Sequence, residues 1–555
     1  MTTTNPLIVQ SDRSVLLEVD NPLYTRARDQ LALFAELEKS PEHIHTYRIT
    51  PLSIWNATAA GLCAQEIIST LEHFSKFPVP ENLQHEITEL AGRYGKITLD
   101  SEDEGLTLHI DDPLLARQIA HHPKVIPLLQ TTGEECIFRV NTQYRGEIKR
   151  VLTQLGFPVK DIAGYIQGHP FPITLQEQMR NNKQFALREY QEFAVDNCYQ
   201  GGGVEGGCGV VVLPCGAGKT IVGMGVMSKV QTYTLILSAN ITALRQWRDE
   251  LLDKTSIKED EIAEYSGESK KIAPITLATY QILTYRPDKH QHYFPHFELF
   301  HSQNWGLIIY DEVHLLPAPV FRITSDLQAR RRLGLTATLI REDGKETDVF
   351  SLVGPKRYDM PWKELEAQQW LAKATCTEIR VPLCESESLD YAISSDRMRF
   401  RIASENARKH EVVSRLLAQH SKDQVLIIGQ YLNQLKKMAE ELKAPLITGQ
   451  TPQGEREKLY GAFREGTIRI MIVSKVGNFA VDLPDANVAI QISGTFGSRQ
   501  EEAQRLGRVL RPKGGDNQAH FYTIVTYNSV EQDFAMKRQL FLTEQGYSYN
   551  IENFM

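Results

Sequence analysis

The sequence predicts an α/β protein: two doubly wound parallel sheets in tandem, preceded by smaller accessory modules. Three observations carry that expectation. From Leu187 onward, short β-branched apolar runs alternate with helical stretches. Strands covered by helices on both faces read this way, without the polar alternation of a half-exposed sheet. The runs fall into two sets, separated by a gap from about Gly354 to Glu411. Finally, 555 residues are too many for one hydrophobic core, so three or four domains are expected.

The totals exclude several classes. Apolar content of 42% and charged content of 23% suit a globular chain rather than a disordered one. No apolar run reaches membrane-spanning length, and "MTTTNPLIVQSDRS" lacks a basic start followed by an apolar stretch. A cytoplasmic protein with no membrane partner is expected. Cysteines 63, 136, 198, 208, 215, 376 and 384 form no C-x-x-C pair, which argues against disulfides and structural zinc. The net charge of −8 excludes a uniformly basic nucleic-acid binder. It leaves room for a local channel, because only nearby charges act through physiological salt. Between Arg322 and Lys345 six basic residues (Arg322, Arg330, Arg331, Arg332, Arg341, Lys345) face three acids.

Taken in order, residues 1–115 read as a winged-helix-like module. "SIWNATAAGL", "AQEIISTLEHFS" and "ENLQHEITELAGRYG" are three short helices, broken by Gly61, Pro78 and Pro80. "KITLD" and "LTLHI" then form a hairpin around "SEDEG". Such a module either binds DNA or holds a partner; the candidate recognition helix is acidic where phosphate contacts need cations. Residues 116–178 form a small α/β unit. It comprises the strand "CIFRVN", the amphipathic helix "YRGEIKRVLTQLG", the extended "FPVKDIAGY" and a Pro/Gly-rich linker, "GHPFPIT". Residues 179–365 carry the first strand set, "GVVVLP", "YTLILSA", "WGLIIYDE" and "RRLGLTAT". Residues 366–555 carry the second, "QVLIIGQ", "APLITG", "IRIMIVS", "NVAIQIS" and "AHFYTIV".

The chemistry begins at "VVVLPCGAGKT", a strand, a glycine loop and a helix start. The full GxxxxGK[ST] pattern (Walker A) is not met, because Leu213 replaces the first glycine. Gly216, Ala217 and Gly218 let backbone N–H groups approach phosphate oxygens at a helix N-terminus. Lys219 is placed to reach the β/γ-phosphates of ATP, and the Thr220 hydroxyl to hold Mg²⁺. "LIIYDEVH" supplies the matching half, a DEAH-type box at the end of a buried strand, where open α/β sheets bind ligands. Asp311 is the expected metal carboxylate, Glu312 the base for the attacking water, and His314 a coupling residue. In "LREYQ", Arg188 and Gln191 are candidates for the nucleotide base, since a glutamine amide both donates and accepts. In "EEAQRLGRVLR", Gln504, Arg505, Arg508 and Arg511 lie on one helix, with Arg508 and Arg511 on the same face. They are either a solvated basic face or arginines supplied across a cleft to a transferring phosphoryl group.

In this order, "LREYQ", "PCGAGKT", "DEVH", "TAT" and "QRLGRVLR" resemble the motifs of superfamily-two helicases. "LTATLIRED", "LVGPKRYDMPWKEL", "TGQTPQGERE", "VSKVGNFAVDLPDANVAIQIS", "GSRQEEAQRLGRVLRPK" and "KRQLFLTEQGYSY" narrow the resemblance to the XPB family of DNA-repair and transcription-associated helicases. It covers about residues 180–550. "LSIWNATAAG" and "FPVKDIAGY" are similar to the N-terminal portion of bacterial and archaeal members, and with no long acidic N-terminal extension the chain is most like a prokaryotic form.

The resemblance implies an ATP-driven 3′-to-5′ DNA helicase or translocase, acting in repair or transcription-linked DNA opening, with ATP and Mg²⁺ between two RecA-like domains. It implies a DNA-dependent ATPase that acts on single-stranded or forked DNA, associates with the nucleoid, and has a nuclease partner in archaeal relatives. By residue, it assigns γ-phosphate sensing and the finger role to Gln504, Arg508 and Arg511. Coupling of nucleotide state to DNA falls to Thr336 and Thr338, with Asp482 a further candidate, and strand contact to Gln246, Trp247, Thr279 and Tyr280. Arg341, Glu342 and Asp343 match the family's RED element, implicated in strand separation; a plain surface turn is the alternative. Residues 116–178 are damage-recognition-like. The thumb-like insertion expected near 384–411 is short for the family, and Asn478 stands where many relatives carry an acid. Rival readings are a duplex translocase without processive unwinding, an ATP-switched structural subunit of a repair complex, and an RNA helicase.

Overall fold

The computed structural model describes residues 5–39, 43–59, 61–102, 105–203, 206–288, 294–316, 320, 324, 327, 330–337, 346–474, 486–494, 502, 505–507, 517–547 and 549–554. They form two compact units. One holds Met1–Glu38, Glu42–Val212 and Gly218–Asp359; the other holds Met360–Met555 with Lys39–Pro41 and Leu213–Ala217.

The first unit opens on a four-stranded sheet of β1 (Leu7–Val9), β2 (Ser14–Glu18), β3 (Glu36–Lys39) and β4 (Ile44–Arg48), ordered β1-β2-β4-β3. The three expected helices, Pro51–Ala59, Ala64–Phe74 and Glu81–Arg93, follow it. Leu7, Val15 and Leu17 from the strands bury in one core with Ile54, Leu71, Leu83 and Ile87 from the helices. The expected hairpin is present as β5 (Ile97–Glu102) and β6 (Gly105–Ile110), but it does not close this module. It joins β7 (Leu129–Thr131), β8 (Ile137–Val140) and β9 (Lys160–Asp161) in a second sheet ordered β7-β8-β6-β5-β9. Leu99 and Leu108 bury there with Ile148 and Leu152 of the helix Arg145–Gln154. The winged-helix grouping is therefore corrected: the helices pack on four short strands ahead of them, and the two cores part between Ala91 and Ile97 rather than at 115. The hairpin's apolar face needed a partner that the polar outer surfaces of the three helices do not offer.

The stretch read as a linker is also tied down. His169 N donates to Asn304 O and Phe171 N to Gln231 O, both at 2.9 Å. Gly168 sits at φ +79°, where a Cβ would lie 2.3 Å from Gly306 N.

The first large sheet contains β10 (Cys208–Val212), β11 (Thr234–Ser238), β12 (Ile262–Tyr265), β13 (Ile275–Thr279), β14 (Leu307–Asp311), β15 (Arg331–Thr336) and β16 (Lys356–Asp359). Its order is β12-β13-β11-β14-β15-β10-β16, parallel throughout. The second unit carries β17 (Lys373–Val381), β18 (Val425–Gly429), β19 (Leu446–Ile447), β20 (Ile470–Ser474), β21 (Val488–Gln491), β22 (Gln518–Thr526) and β23 (Tyr549–Asn553), ordered β19-β20-β18-β21-β22-β17-β23. This sheet is also parallel at every pairing. Two RecA-like doubly wound sheets in tandem are thus the architecture. The thumb-like region contains two helices, Glu385–Ile393 and Asp396–Ser404. Among the described residues no helix is long and apolar enough to cross a membrane.

Candidate functional site

Parallel register levels the C-terminal ends of five neighbouring strands. Val212 pairs with Thr336, Leu335 with Asp311, Tyr310 with Leu237, and Ser238 with Thr279. Residues just beyond one edge of the first large sheet are therefore drawn from points up to about 120 positions apart in the chain, yet stand side by side.

At one end of this row, β10 runs into the glycine loop. Gly216 and Gly218 have φ +84° and +82°, values a side chain would strain. Gly218 is the N-cap of the helix Lys219–Val230, so Lys219 and the half-buried Thr220 are its first two residues. A Cβ on Gly218 would lie 2.5 Å from Gln191 Nε2, so the loop and the buried Gln191 amide close on each other. Gln191 Oε1 accepts from Arg188 N at 3.0 Å, while Arg188 Nη1 donates to Tyr190 OH at 3.1 Å. Arg188 and Gln191 thus brace the start of the helix Glu189–Tyr199 beside the loop.

The acidic pair lies opposite. Lys219 Nζ is 3.5 Å from Glu312 Oε1, and Glu312 Oε2 is 3.5 Å from His314 Nδ1. His314 Nδ1 also hydrogen-bonds Thr336 Oγ1 at 2.7 Å. A line of contacts therefore runs from Lys219 through Glu312 and His314 to the end of β15. Glu312 holds φ +50°, a left-handed conformation that costs a non-glycine residue about 1 kcal/mol. That turn directs its carboxylate toward Lys219 instead of along the strand.

Asp311 is held from behind. Ser238 Oγ and Trp247 Nε1 both donate to its Oδ2 at 3.1 Å, and Tyr280 OH donates to its backbone oxygen at 2.9 Å. Burial and the neighbouring Glu312 charge push the Asp311 carboxyl up to about 6; Lys219 and the two side-chain donors pull the other way.

These contacts correct one expectation. Trp247, Thr279 and Tyr280 are 1%, 2% and 4% exposed, so their side chains are not presented to a nucleic-acid strand. Trp247 and Tyr280 serve Asp311, and Thr279 Oγ1 caps the following short helix by accepting from Ile282 N at 3.2 Å. Gln246 alone of that group is partly exposed. Ser238 was not singled out from the sequence; its only signal is a hydroxyl ending the apolar run "YTLILSA". Thr338, Arg341, Glu342, Asp343, Asp482, Gln504, Arg508 and Arg511 lie outside the described residues. Arg505, on the same segment as the last three, is buried and donates to Gln491 Oε1, a role in the core of the second unit.

The residues present fit a magnesium–triphosphate. A glycine cradle with positive φ, one lysine at a helix N-terminus and two adjacent strand-end carboxylates form the donor and acceptor set that such a ligand requires.

Comparison with known proteins agrees with this geometry. The ERCC3/RAD25/XPB C-terminal helicase family matches residues 365–554, and the type III restriction enzyme res subunit family matches 184–341. A helicase conserved C-terminal domain family matches residues 7–132, which here hold the four-stranded N-terminal sheet and three strands of the five-stranded one rather than the second large sheet. "DNA 3'-5' helicase XPB" of Kineococcus radiotolerans is 53% identical over 99% of this chain and 96% of its own length. That of Mycobacterium tuberculosis is 51% identical over 99% of this chain and 98% of its own. The "General transcription and DNA repair factor IIH helicase/translocase subunit XPB/SSL2" of Saccharomyces cerevisiae is 29% identical over 98% of this chain and 71% of its own. With 53% and 51% identity to the Kineococcus and Mycobacterium relatives over 99% of its length, the chain belongs to the XPB family of DNA helicases.

Proposed function

We propose that this chain is an ATP-driven 3′-to-5′ DNA helicase. The observation that carries the reading is the Lys219–Glu312–His314–Thr336 line. It joins a phosphate loop to a strand whose continuation carries Arg341, Glu342 and Asp343. Lys219 neutralises the β/γ-phosphates, Glu312 receives the proton of the attacking water, and Thr220 with Asp311 holds Mg²⁺. Bound Mg²⁺ supplies charge neutralisation on the phosphates. Both side-chain donors to Asp311 meet Oδ2, which leaves Oδ1 for the cation. Gln504, Arg508 and Arg511 take the γ-phosphate-sensing and finger roles that the family resemblance implies. Thr336, Thr338 and Asp482 relay nucleotide state to DNA. The protein acts in the cytoplasm on nucleoid DNA, with repair or transcription as its setting and a nuclease as a fitting partner.

A strand-displacement assay on duplex DNA with a 3′ single-stranded tail tests this. Unwinding with DNA-stimulated ATP turnover is expected; turnover without displacement supports the duplex-translocase reading. In the same assay Arg341→Ala is expected to reduce displacement about tenfold while ATP turnover stays within twofold, since the change removes a wedge or grip and no ATP contact. Parallel losses in both would reject a strand-separating role.

Asp311 also makes a pH prediction. Its proton competes with the cation below about 6, so Asp311 contributes less to Mg²⁺-dependent nucleotide binding as pH falls through that value. Titrating a non-hydrolysable ATP analogue with Mg²⁺ between pH 5 and 8, in the parent and in Asp311→Asn, checks it: the analogue's terminal phosphate protonates in the same range in both proteins, so the difference reports Asp311. Identical profiles would remove Asp311 from the metal site.

A further inference from the structure

Trp247 has no exposed face, and any large apolar ring would fill its volume. What distinguishes it is the indole N–H. A buried N–H left unpaired costs about 1–3 kcal/mol, so its partner is selected by the fold. Here the partner is not a backbone carbonyl but the Asp311 carboxylate, 64 positions away, at 3.1 Å.

The packing is shaped around this contact. Trp247 sits on the helix Ile241–Lys254, which begins three residues after β11 ends. To reach Asp311 the ring passes beside the helix Lys219–Val230 at Gly223. A Cβ at Gly223 would lie 2.5 Å from Trp247 Cη2 and 3.3 Å from Leu335 Cδ1. Gly223 has no unusual backbone angle, so the room it leaves for the ring is its structural reason. Ser238 Oγ joins the indole on the same carboxylate oxygen, also at 3.1 Å.

We propose that Trp247 is a positioning residue for Mg²⁺: with Ser238 it occupies Asp311 Oδ2, fixes the carboxylate plane, and presents Oδ1 to the cation. Gly223 makes the approach possible. The proposal rests on the reading of Asp311 as a metal ligand. It also ties the helix that bears Gln246 to the metal carboxylate, so a shift of that helix is felt at Asp311.

The test uses the full-length protein and a fluorescent non-hydrolysable ATP analogue, titrated with Mg²⁺. Trp247→Phe keeps the ring and removes the N–H. It is expected to raise the half-saturating Mg²⁺ concentration about tenfold, in line with loss of a hydrogen bond to a charged group. Affinity at saturating Mg²⁺ should stay within twofold and the Tm within a few degrees. Gly223→Ala, which displaces the ring, should shift the Mg²⁺ half-point in the same direction. A folded Trp247→Phe protein with an unchanged half-point overturns the proposal, as does equal weakening at every Mg²⁺ concentration, which marks a packing role alone. Should Trp247→Phe fail to fold, Gly223→Ala with Ser238→Ala decides by the same criterion. Asp311→Asn separates the underlying reading: it should abolish the Mg²⁺ response. If it does not, Asp311 is no ligand and the proposal falls with it; if it does while Trp247→Phe shifts nothing, only the proposal falls.

Discussion

Replacing Lys219 with alanine is expected to lower DNA-stimulated ATP turnover by two to three orders of magnitude, on the scale of losing one preorganised electrostatic contact in a closed site. Lys219 Nζ lies 3.5 Å from Glu312 and is also the cation that pulls the Asp311 carboxyl downward. Without it, the two adjacent carboxylates and the incoming phosphates lose the lysine charge that offsets them, and the metal ion is left to balance all of them. Nucleotide affinity should therefore fall together with turnover. The fold should survive, because alanine is a good residue for the first turn of the helix Lys219–Val230 and the change leaves the buried apolar residues of that helix in place. Phosphate release, measured with and without DNA at matched Tm, checks this; turnover within threefold of the parent would reject the phosphate-site assignment.

Glu312→Gln should separate binding from chemistry. The side chain keeps its size and its neighbours, and the backbone conformation at φ +50° is no harder for glutamine than for glutamate. The lost property is proton acceptance, and removal of a general base costs about 10²–10⁴ in rate. Binding should hold or improve, because Glu312 is one of the two causes that raise the Asp311 carboxyl; removing its charge lets Asp311 ionise more readily. The signature is unchanged or tighter Mg²⁺–nucleotide binding with turnover nearly gone. A parallel loss of binding would mean that Glu312 supports the site rather than acting in it.

The residues whose variants matter most were legible in the sequence for a physical reason. Lys219 follows a glycine turn, and Asp311 and Glu312 end an apolar run, so residue type and local order together announce a phosphate and a cation. Residues that support them carry no such mark. Trp247 reads as one more apolar position on a helix, and Ser238 as the last residue of a strand. The family resemblance implies a strand contact for Trp247, whereas its side chain is buried against Asp311. The same limit applied to the fold. β17 lies inside the apparent gap between the strand sets, because "KATCTEIRV" alternates polar with apolar residues. Yet it pairs along all nine residues with β22, and its Glu378 is buried against Gln539 Nε2 at 2.9 Å and Arg380 Nε at 2.7 Å. A buried carboxylate in an interior strand is tolerable only when it is satisfied, here by Arg380 on its own strand and by Gln539, 161 positions away.

The sequence alone determined the class of the fold and the candidate reacting groups, because apolar period, glycine turns and paired carboxylates act over a few residues and need no knowledge of what lies across the core. Which sheet the β5–β6 hairpin joins, which ring backs Asp311 and which glycine lets that ring in were decided only by tertiary structure. Each depends on two segments many positions apart competing for one buried surface or one hydrogen-bond partner, and that contest is settled by packing.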